Sequence, residues 1–114
     1  MRTPAVELRW WDGCPSTAGA LADLRSALEE VGLDPDAVAV SEVRTDEEAA
    51  EQRFPGSPTI LIDGEDVQPV EDDEVFGLTC RVYRRRNGRI SPTPDPDDIR
   101  DALRRAVADK ETNA

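Results

Sequence analysis

The sequence predicts an α/β domain in which helices flank one mixed β-sheet. Strand-like and helix-like segments alternate over residues 5–68, an extra hairpin pattern follows them, and an amphipathic helix comes last. With 114 residues the chain has the length of one domain, so we expect a single domain over residues 1–114.

The first two predicted elements are a strand and a long helix. Residues 5–11 alternate apolar and polar side chains, which is typical of a strand. A helix is predicted over residues 15–31, with Pro15 at its first position and Gly32 ending it. The apolar residues that recur at helical spacing are Leu21, Leu24, Leu28 and Val31.

Shorter elements follow. Thr45 and Glu48 form a capping box, which predicts a short helix that runs to about residue 53. The β-branched run after Pro58 predicts a central strand, and Asp63-Gly64 predicts a tight turn. The predicted strands are residues 37–43, 59–62 and 66–67. With short connections, we expect the first three strands and two helices to make right-handed crossovers onto one sheet.

The last third of the chain contains an insertion and a helix. Residues 71–91 start with the acidic loop 71–74 and contain Asn87-Gly88, a strong signal for a hairpin turn. Asp95 is the predicted cap of the last helix, and Pro96 is its first residue. Its apolar stripe is Ile99, Leu103 and Val107. We expect the tail over residues 110–114 to be frayed.

The composition narrows the classes of function. The net charge of -11 argues against nucleic acid and anionic membranes as partners, because they would be repelled. The chain has no histidine, which excludes a Cys-His or Ser-His nucleophile site within it. No apolar run approaches the roughly 20 residues that span a bilayer. With no apolar leader segment either, we expect a cytoplasmic protein with no membrane partner.

One cysteine lies where the first strand gives way to the first helix. In the stretch WWDGCPST, Thr17 stands where a C-x-x-C motif that begins at Cys14 would have its second cysteine. Unpaired N–H groups and the helix dipole at a helix N-terminus lower the pKa of a thiol. The hydroxyls of Ser16 and Thr17 would add hydrogen bonds, whereas Asp12 would raise this pKa. The alternative is that Cys14 only fills a buried turn.

A later proline gives this cysteine a family context. Residues 14–17 resemble the C-P-x-C motif of the thioredoxin and glutaredoxin family with its second cysteine replaced, and residues 57–59 resemble the family's cis-proline segment. The resemblance covers residues 5–68 and the last helix. It implies a thioredoxin-like sheet, a cis Ser57–Pro58 bond facing Cys14, and thiol–disulfide chemistry with Cys14 as the nucleophile. The expected binding residues are Trp11, Pro15, Ser16, Thr17, Ser57, Pro58 and Thr59. Without the resemblance, Pro58 is an ordinary strand start.

The second cysteine, Cys80, has two interpretations. In the thioredoxin layout the 71–91 insertion would emerge near Cys14, and Cys80 would then be the resolving thiol. Alternatively, Leu78, Cys80 and Val82 alternate along the chain and would face the core together. The alternation favours the second interpretation.

Other functions stay open at this point. The expected partner is a small thiol or disulfide or a protein, and we expect no cofactor, with glutathione as a candidate ligand. A non-catalytic binding module would use the Trp10-Trp11 pair as a contact surface. A soft-metal binder is a further alternative, with a partial similarity to organomercurial lyases in which Asp12 or Asp63 would supply the acid. The arginines over residues 81–89 are read as a solvated hairpin edge, or as a grip for an anionic ligand.

Overall fold

The computed structural model describes residues 4–70 and 75–112, and it contains one mixed four-stranded sheet, a two-stranded hairpin and three helices. The predicted acidic loop 71–74 and residues 113–114 lie outside the described residues. The strands are β1 (Val6–Trp10), β2 (Ala39–Glu42), β3 (Thr59–Ile62), β4 (Glu65–Asp66), β5 (Tyr83–Arg84) and β6 (Ile90–Ser91). The helices are α1 (Thr17–Glu30), α2 (Asp46–Glu51) and α3 (Pro96–Thr112).

The four-stranded sheet has the order β2-β1-β3-β4. Strand β1 lies at its centre, with Leu8 opposite Val40 of the parallel β2 and opposite Ile60 of the antiparallel β3. β4 returns antiparallel to β3 after the turn at Asp63 and Gly64, where Gly64 adopts a φ of 81°. The α/β class and the mixed sheet predicted from the sequence are therefore confirmed.

The expectation of crossovers onto all of the first three strands is wrong, because β3 runs antiparallel to β1. Among the strands that the structure describes, only β1 and β2 are joined by a parallel crossover, through α1. The reason lies in α2, which has six residues and buries Ala49 in a small cluster with Val43 and Phe54. Because these residues follow β2 and precede β3, the chain enters β3 at the end of the sheet where β1 and β2 finish.

The main core lies between one face of the sheet and the helices α1 and α3. Strand alternation sends Val6 and Leu8 to this face, together with Ile60 of β3. Leu24 and Leu28 of α1 and Ile99 and Leu103 of α3 fill the core from the helix side. Burial of this apolar surface is the dominant stabilising contribution. The predicted apolar stripes of both helices are thus confirmed.

Helix ends follow the sequence signals in part. Thr45 caps α2 by accepting the Glu48 N–H at 3.1 Å. Asp95 precedes α3, and its carboxylate accepts the Asp97 N–H at 2.9 Å. Helix α3 reaches Thr112, into the segment for which fraying was expected. Among the described helices, none is long and apolar enough to cross a membrane.

The edge strand β2 departs from its prediction. It is shorter than the predicted 37–43, and its apolar residue Val40 is exposed. Strand β2 pairs only with β1, and its burial pattern is exposed at three of four positions. Apolar composition alone did not distinguish this edge strand from a buried one.

Candidate functional site

Cys14 lies in a tight turn between β1 and α1. Its N–H donates to the Trp11 carbonyl at 3.1 Å, and only 6% of the residue is exposed. Helix α1 begins at Thr17, with Ser16 as its N-cap residue, so the prediction that Pro15 takes the first helical position is wrong. Pro15 instead lies in the turn that precedes the cap. The thiol therefore stands two residues before the N-cap.

Ser57 and Pro58 face Cys14 from the start of β3. The Ser57–Pro58 peptide bond is cis, as the resemblance implies, and both residues are fully buried. The Cys14 thiol lies 3.4 Å from the Ser57 carbonyl oxygen, to which it donates. The Ser57 hydroxyl accepts the Trp11 N–H at 2.9 Å. Ser57 therefore ties the Cys14 turn to the third strand.

Cys80 lies beside the same serine. Ser57 and Cys80 form an isolated parallel β-bridge. In this bridge the Ser57 N–H donates to the Thr79 carbonyl and the Arg81 N–H donates to the Ser57 carbonyl, both at 2.8 Å. The structure thus brings Cys80 next to Cys14, although no sequence motif links the two positions.

The side chains around Cys80 alternate in the opposite sense to the one predicted. Cys80 is exposed and Val82 is 64% exposed, so the expectation that they face the core with Leu78 is wrong. Arg81 and Tyr83 point inward instead. The reason is that the contacts of Arg81 and Tyr83 come from distant segments, which local hydrophobicity does not reveal.

Arg81 is the anchor of this segment. Its guanidinium is 2.6 Å from the Asp66 carboxylate and 3.3 Å from the Thr59 hydroxyl, and it also donates to the Gln68 carbonyl. The Tyr83 ring lies 4.5 Å away beneath it. Arg81 is only 6% exposed, so its assignment to a solvated hairpin edge is wrong. The guanidinium fork matches this set of acceptors, which a lysine could not.

Two further contacts hold the cis-proline segment. Burial raises the pKa of Tyr83 well above its usual range, so its hydroxyl stays protonated and donates to the Pro58 carbonyl. The Thr59 hydroxyl donates to the Gly56 carbonyl at 2.6 Å. Gly56 has a φ of 144°, and a Cβ there would stand 3.1 Å from the Arg81 backbone. A glycine is therefore required for the Arg81 segment to approach this closely.

The two thiols influence each other's ionisation. Burial raises the pKa of Cys14, but hydrogen bonds from the Ser16 backbone, from Cys80 and from the Ser16 and Ser57 hydroxyls outweigh it. The net result is a lowered pKa for Cys14. The hydrogen bond with Cys14 raises the pKa of Cys80, and burial and the Cys14 charge act in the same direction. Cys14 is thus the first of the pair to become a thiolate as the pH rises.

The predicted contribution of Thr17 is absent. Its hydroxyl is buried and has no hydrogen-bond partner among the described residues. The hydrogen bonds to sulfur come from Ser16 and Ser57 instead. Thr17 is the first residue of α1. Its hydroxyl stands where a C-x-x-C motif would have its second sulfur, and it cannot take part in thiol–disulfide exchange.

The two tryptophans lie on opposite faces of the sheet, as alternation predicts. Trp10 packs against the main core, and Trp11 packs against the cluster of Val43, Ala49 and Phe54. The indole of Trp11 also covers Gly13, where a Cβ would come within 2.3 Å of it. Trp11 therefore forms one wall of the Cys14 turn.

The candidate acids are differently placed. Asp12 is exposed in the Cys14 turn. Asp63 exchanges hydrogen bonds with Ala5, which precedes β1, so it lies at the end of the sheet away from Cys14. Asp63 is thus excluded as the acid of an organomercurial-lyase-like site. Within residues 4–70 and 75–112, no group of three or more His, Cys, Asp or Glu side chains could hold a metal ion.

A groove of about 770 Å³ opens beside Cys80. The residues that line it near Cys80 in the chain are Val75, Gly77, Leu78, Thr79, Arg81 and Val82. The other lining residues are Asp46, Pro55 and the segment from Gln68 to Val70. Cys80 is thus open to a ligand, whereas Cys14 is not.

No protein-family model, curated protein or solved structure matches this chain. The site therefore rests on its own geometry. Sequence reasoning singled out Cys14, Ser57, Pro58 and Cys80, but it missed the supporting roles of Asp66 and Tyr83. The spacing of Arg81 and Tyr83, two apart in a strand-like stretch, was the available signal that this pair shares one face.

Proposed function

We propose that this protein is a thioredoxin-like thiol–disulfide oxidoreductase whose redox pair is Cys14 and Cys80. The observation that carries the proposal is the placement of the two thiols side by side, at the end of the sheet where β1 finishes and β3 begins. The β-α-β-α-β-β order that precedes the β5-β6 hairpin and α3, with a cis-proline facing Cys14, supports the family part of the proposal.

The chemistry is a two-electron exchange. The two thiols of the protein lose two protons and two electrons and form one internal disulfide. An external disulfide takes up these two protons and two electrons and is released as two thiols. Cys14 supplies the thiolate, because its pKa is lowered, and Cys80 supplies the second sulfur. The protein then returns to the dithiol form when an external thiol pair reduces the internal disulfide and is itself oxidised to a disulfide.

The neighbouring residues support this reaction without taking part in bond making. Ser16 and Ser57 direct hydrogen bonds to the Cys14 sulfur and stabilise its charge. The bond from the protonated thiol to the Ser57 carbonyl is lost on ionisation and limits this stabilisation. Pro58 shapes the turn, and Trp11 covers it from the side.

The proposal is tested by reduction of a small disulfide with dithiothreitol as the electron donor. Wild-type protein is expected to accelerate the reduction, and Cys14→Ser and Cys80→Ser are each expected to lose the acceleration. Thr17→Ala is the matched control within the motif, and it should retain the wild-type rate because the Thr17 hydroxyl has no partner among the described residues. A wild-type protein that is inactive on every disulfide tried would favour the binding module.

A second candidate function is the binding of a soft metal ion. The observation that favours it is the same pair of adjacent thiols, because two thiolates suit copper(I) or mercury(II). Titration of the reduced protein with copper(I), in competition with a chromophoric chelator, separates the two functions. Tight binding that requires both cysteines, in a protein without reductase activity, would replace the first proposal.

A further inference from the structure

We propose that, in the disulfide form, an external thiolate attacks the Cys80 sulfur and not the Cys14 sulfur, and that its carrier is an extended peptide with apolar and basic side chains. This inference rests on the proposed redox function and specifies where its partner binds. It assigns the covalent bond with the partner to Cys80, whereas the family resemblance would place that bond at Cys14.

Access to the two sulfurs differs sharply. Cys14 is 6% exposed, and its thiol points at the Ser57 carbonyl. Cys80 is exposed and lies in the open groove. A thiolate approaches a disulfide in line with the bond that breaks, on the side away from the leaving sulfur. Because Cys80 is exposed and Cys14 is buried, an incoming thiolate reaches the Cys80 sulfur more readily.

Attack on Cys80 also makes Cys14 the leaving group. The partner's thiolate forms a bond to Cys80, the Cys14–Cys80 bond breaks, and its electron pair leaves with Cys14 as a thiolate. The lowered pKa of Cys14 makes it the better leaving group of the two. A second partner thiolate then attacks the partner's sulfur in the mixed disulfide and releases Cys80, which takes up a proton.

The backbone at Cys80 offers a docking edge. The Thr79 carbonyl and the Arg81 N–H are both bound to Ser57. By strand alternation the N–H and carbonyl of Cys80 point the other way. In the described part of the chain this N–H has no partner, and the carbonyl accepts only a 3.5 Å contact from the Thr79 hydroxyl. An extended peptide can pair with both groups and bring a cysteine to the Cys80 sulfur.

The groove selects the chemistry of the peptide. Its exposed apolar side chains, Val75 and Val82, flank the docking edge. Its one cation among the described lining residues is Arg81, which is buried and paired with Asp66. Asp46 also lines the groove, and the whole chain carries a net charge of -11. Glutathione, an anion, therefore finds no counter-charge here, whereas a basic peptide is attracted.

The test starts from wild-type protein oxidised with diamide to its internal disulfide. The protein is mixed with the acetylated, amidated peptide Arg-Val-Cys-Val-Arg, quenched in acid, alkylated and digested with trypsin. Mass spectrometry then locates the peptide adduct on residues 10–25, which contain Cys14, or on residues 54–81, which contain Cys80. The expected result is an adduct on Cys80 with Cys14 alkylated.

The class of partner is tested by comparing the rates at which different thiols reduce the internal disulfide. At low ionic strength, a peptide with glutamate in place of arginine and glutathione should each react at least about tenfold more slowly, and added salt should reduce the difference. Methylation of the two valine amides should slow the reaction about tenfold by removing backbone pairing.

The outcomes are separable. An adduct on Cys14 overturns the site of attack and leaves the redox function intact. Equal rates for the basic, acidic and methylated peptides overturn the partner class. Failure of diamide to produce any internal disulfide overturns this inference together with the proposed function.

Discussion

Ser57 and Cys80 are joined as a parallel β-bridge in which both backbone polar groups of the serine are satisfied by the residues on either side of the cysteine. The same serine binds Trp11 through its hydroxyl and Cys14 through its carbonyl oxygen. Ser57 is thus the common support of both thiols. The redox pair proposed here depends on three segments that meet at one buried residue.

The first prediction concerns the ionisation of Cys14. Because a hydrogen bond with Cys80 lowers the pKa of Cys14, Cys80→Ala should raise this pKa. The check is the rate at which iodoacetamide alkylates Cys14 in the folded protein at a series of pH values. Each sample is then digested with trypsin, and the alkylated fraction is read from residues 10–25. The curve should move to higher pH in Cys80→Ala and should not move in Thr17→Ala. A curve for Cys80→Ala that stays in place would show that the two thiols do not interact.

The second prediction concerns the Arg81 anchor. Arg81→Met removes the partner of the largely buried Asp66 carboxylate, so it should lower the free energy of unfolding by about 3 kcal/mol. Urea denaturation measures the change. The matched control is Arg84→Met, because Arg84 is an exposed arginine three residues further along the chain, and it should change stability by less than about 0.5 kcal/mol. Equal effects of the two substitutions would contradict the anchoring role of Arg81.

The third prediction concerns the close approach at Gly56. Gly56→Ala introduces a Cβ that meets the Arg81 backbone at a φ that favours glycine, so it should push the Cys80 segment away. Formation of the internal disulfide in a glutathione redox buffer should then require a more oxidising potential than in wild type. Gly19→Ala is the control, since a Cβ there meets nothing within 4 Å in α1, and it should stabilise the protein by about 0.5–1 kcal/mol. An unchanged potential in Gly56→Ala would contradict the account.

The fourth prediction concerns Asp95 and acid stability. Its carboxylate accepts the N–H groups of Asp97 and Arg86, so Asp95→Ala should cost about 1 kcal/mol. These hydrogen bonds lower the pKa of Asp95. Because the pKa is lower in the folded state, Asp95 stabilises the protein at pH values above the unfolded pKa of about 3.9. This stabilisation is lost as the pH falls through the folded-state pKa.

The control for this titration is Asp95→Asn, which keeps an oxygen acceptor but has no charge to lose. Urea denaturation at pH 7 and at pH 3 should show a smaller acid-linked loss in Asp95→Asn than in wild type. An identical loss in the two proteins would assign the acid sensitivity to other carboxylates.

Local sequence patterns predicted much of the fold. Strand β3 was predicted with its observed bounds, because a run of β-branched and apolar residues after Pro58 has few alternatives. The hairpin turn at Asn87-Gly88 was predicted from its dipeptide, and Gly88 has the expected positive φ of 87°. The start of α1 was predicted less accurately, because Pro15 lies in a turn before Ser16, which is the N-cap residue.

The site was only half accessible from the sequence. Cys14 and Pro58 occupy motif positions, and their juxtaposition follows from the strand order. The placement of Cys80 depends on Arg81 reaching Asp66 and Tyr83 reaching the Pro58 carbonyl. These are long-range polar contacts, and an alternation pattern read on hydrophobicity alone assigns Arg81 to the solvent.

The central claim is that Cys14 and Cys80 form one reversible disulfide, and disulfide mapping in a redox buffer tests it most directly. Protein equilibrated with mixtures of reduced and oxidised glutathione is quenched in acid, alkylated and cleaved with trypsin. The predicted result is a single cross-linked species that joins residues 10–25 to residues 54–81 and disappears in reducing mixtures. Two cysteines that stay separately alkylated or glutathionylated across the whole range of mixtures would contradict the claim.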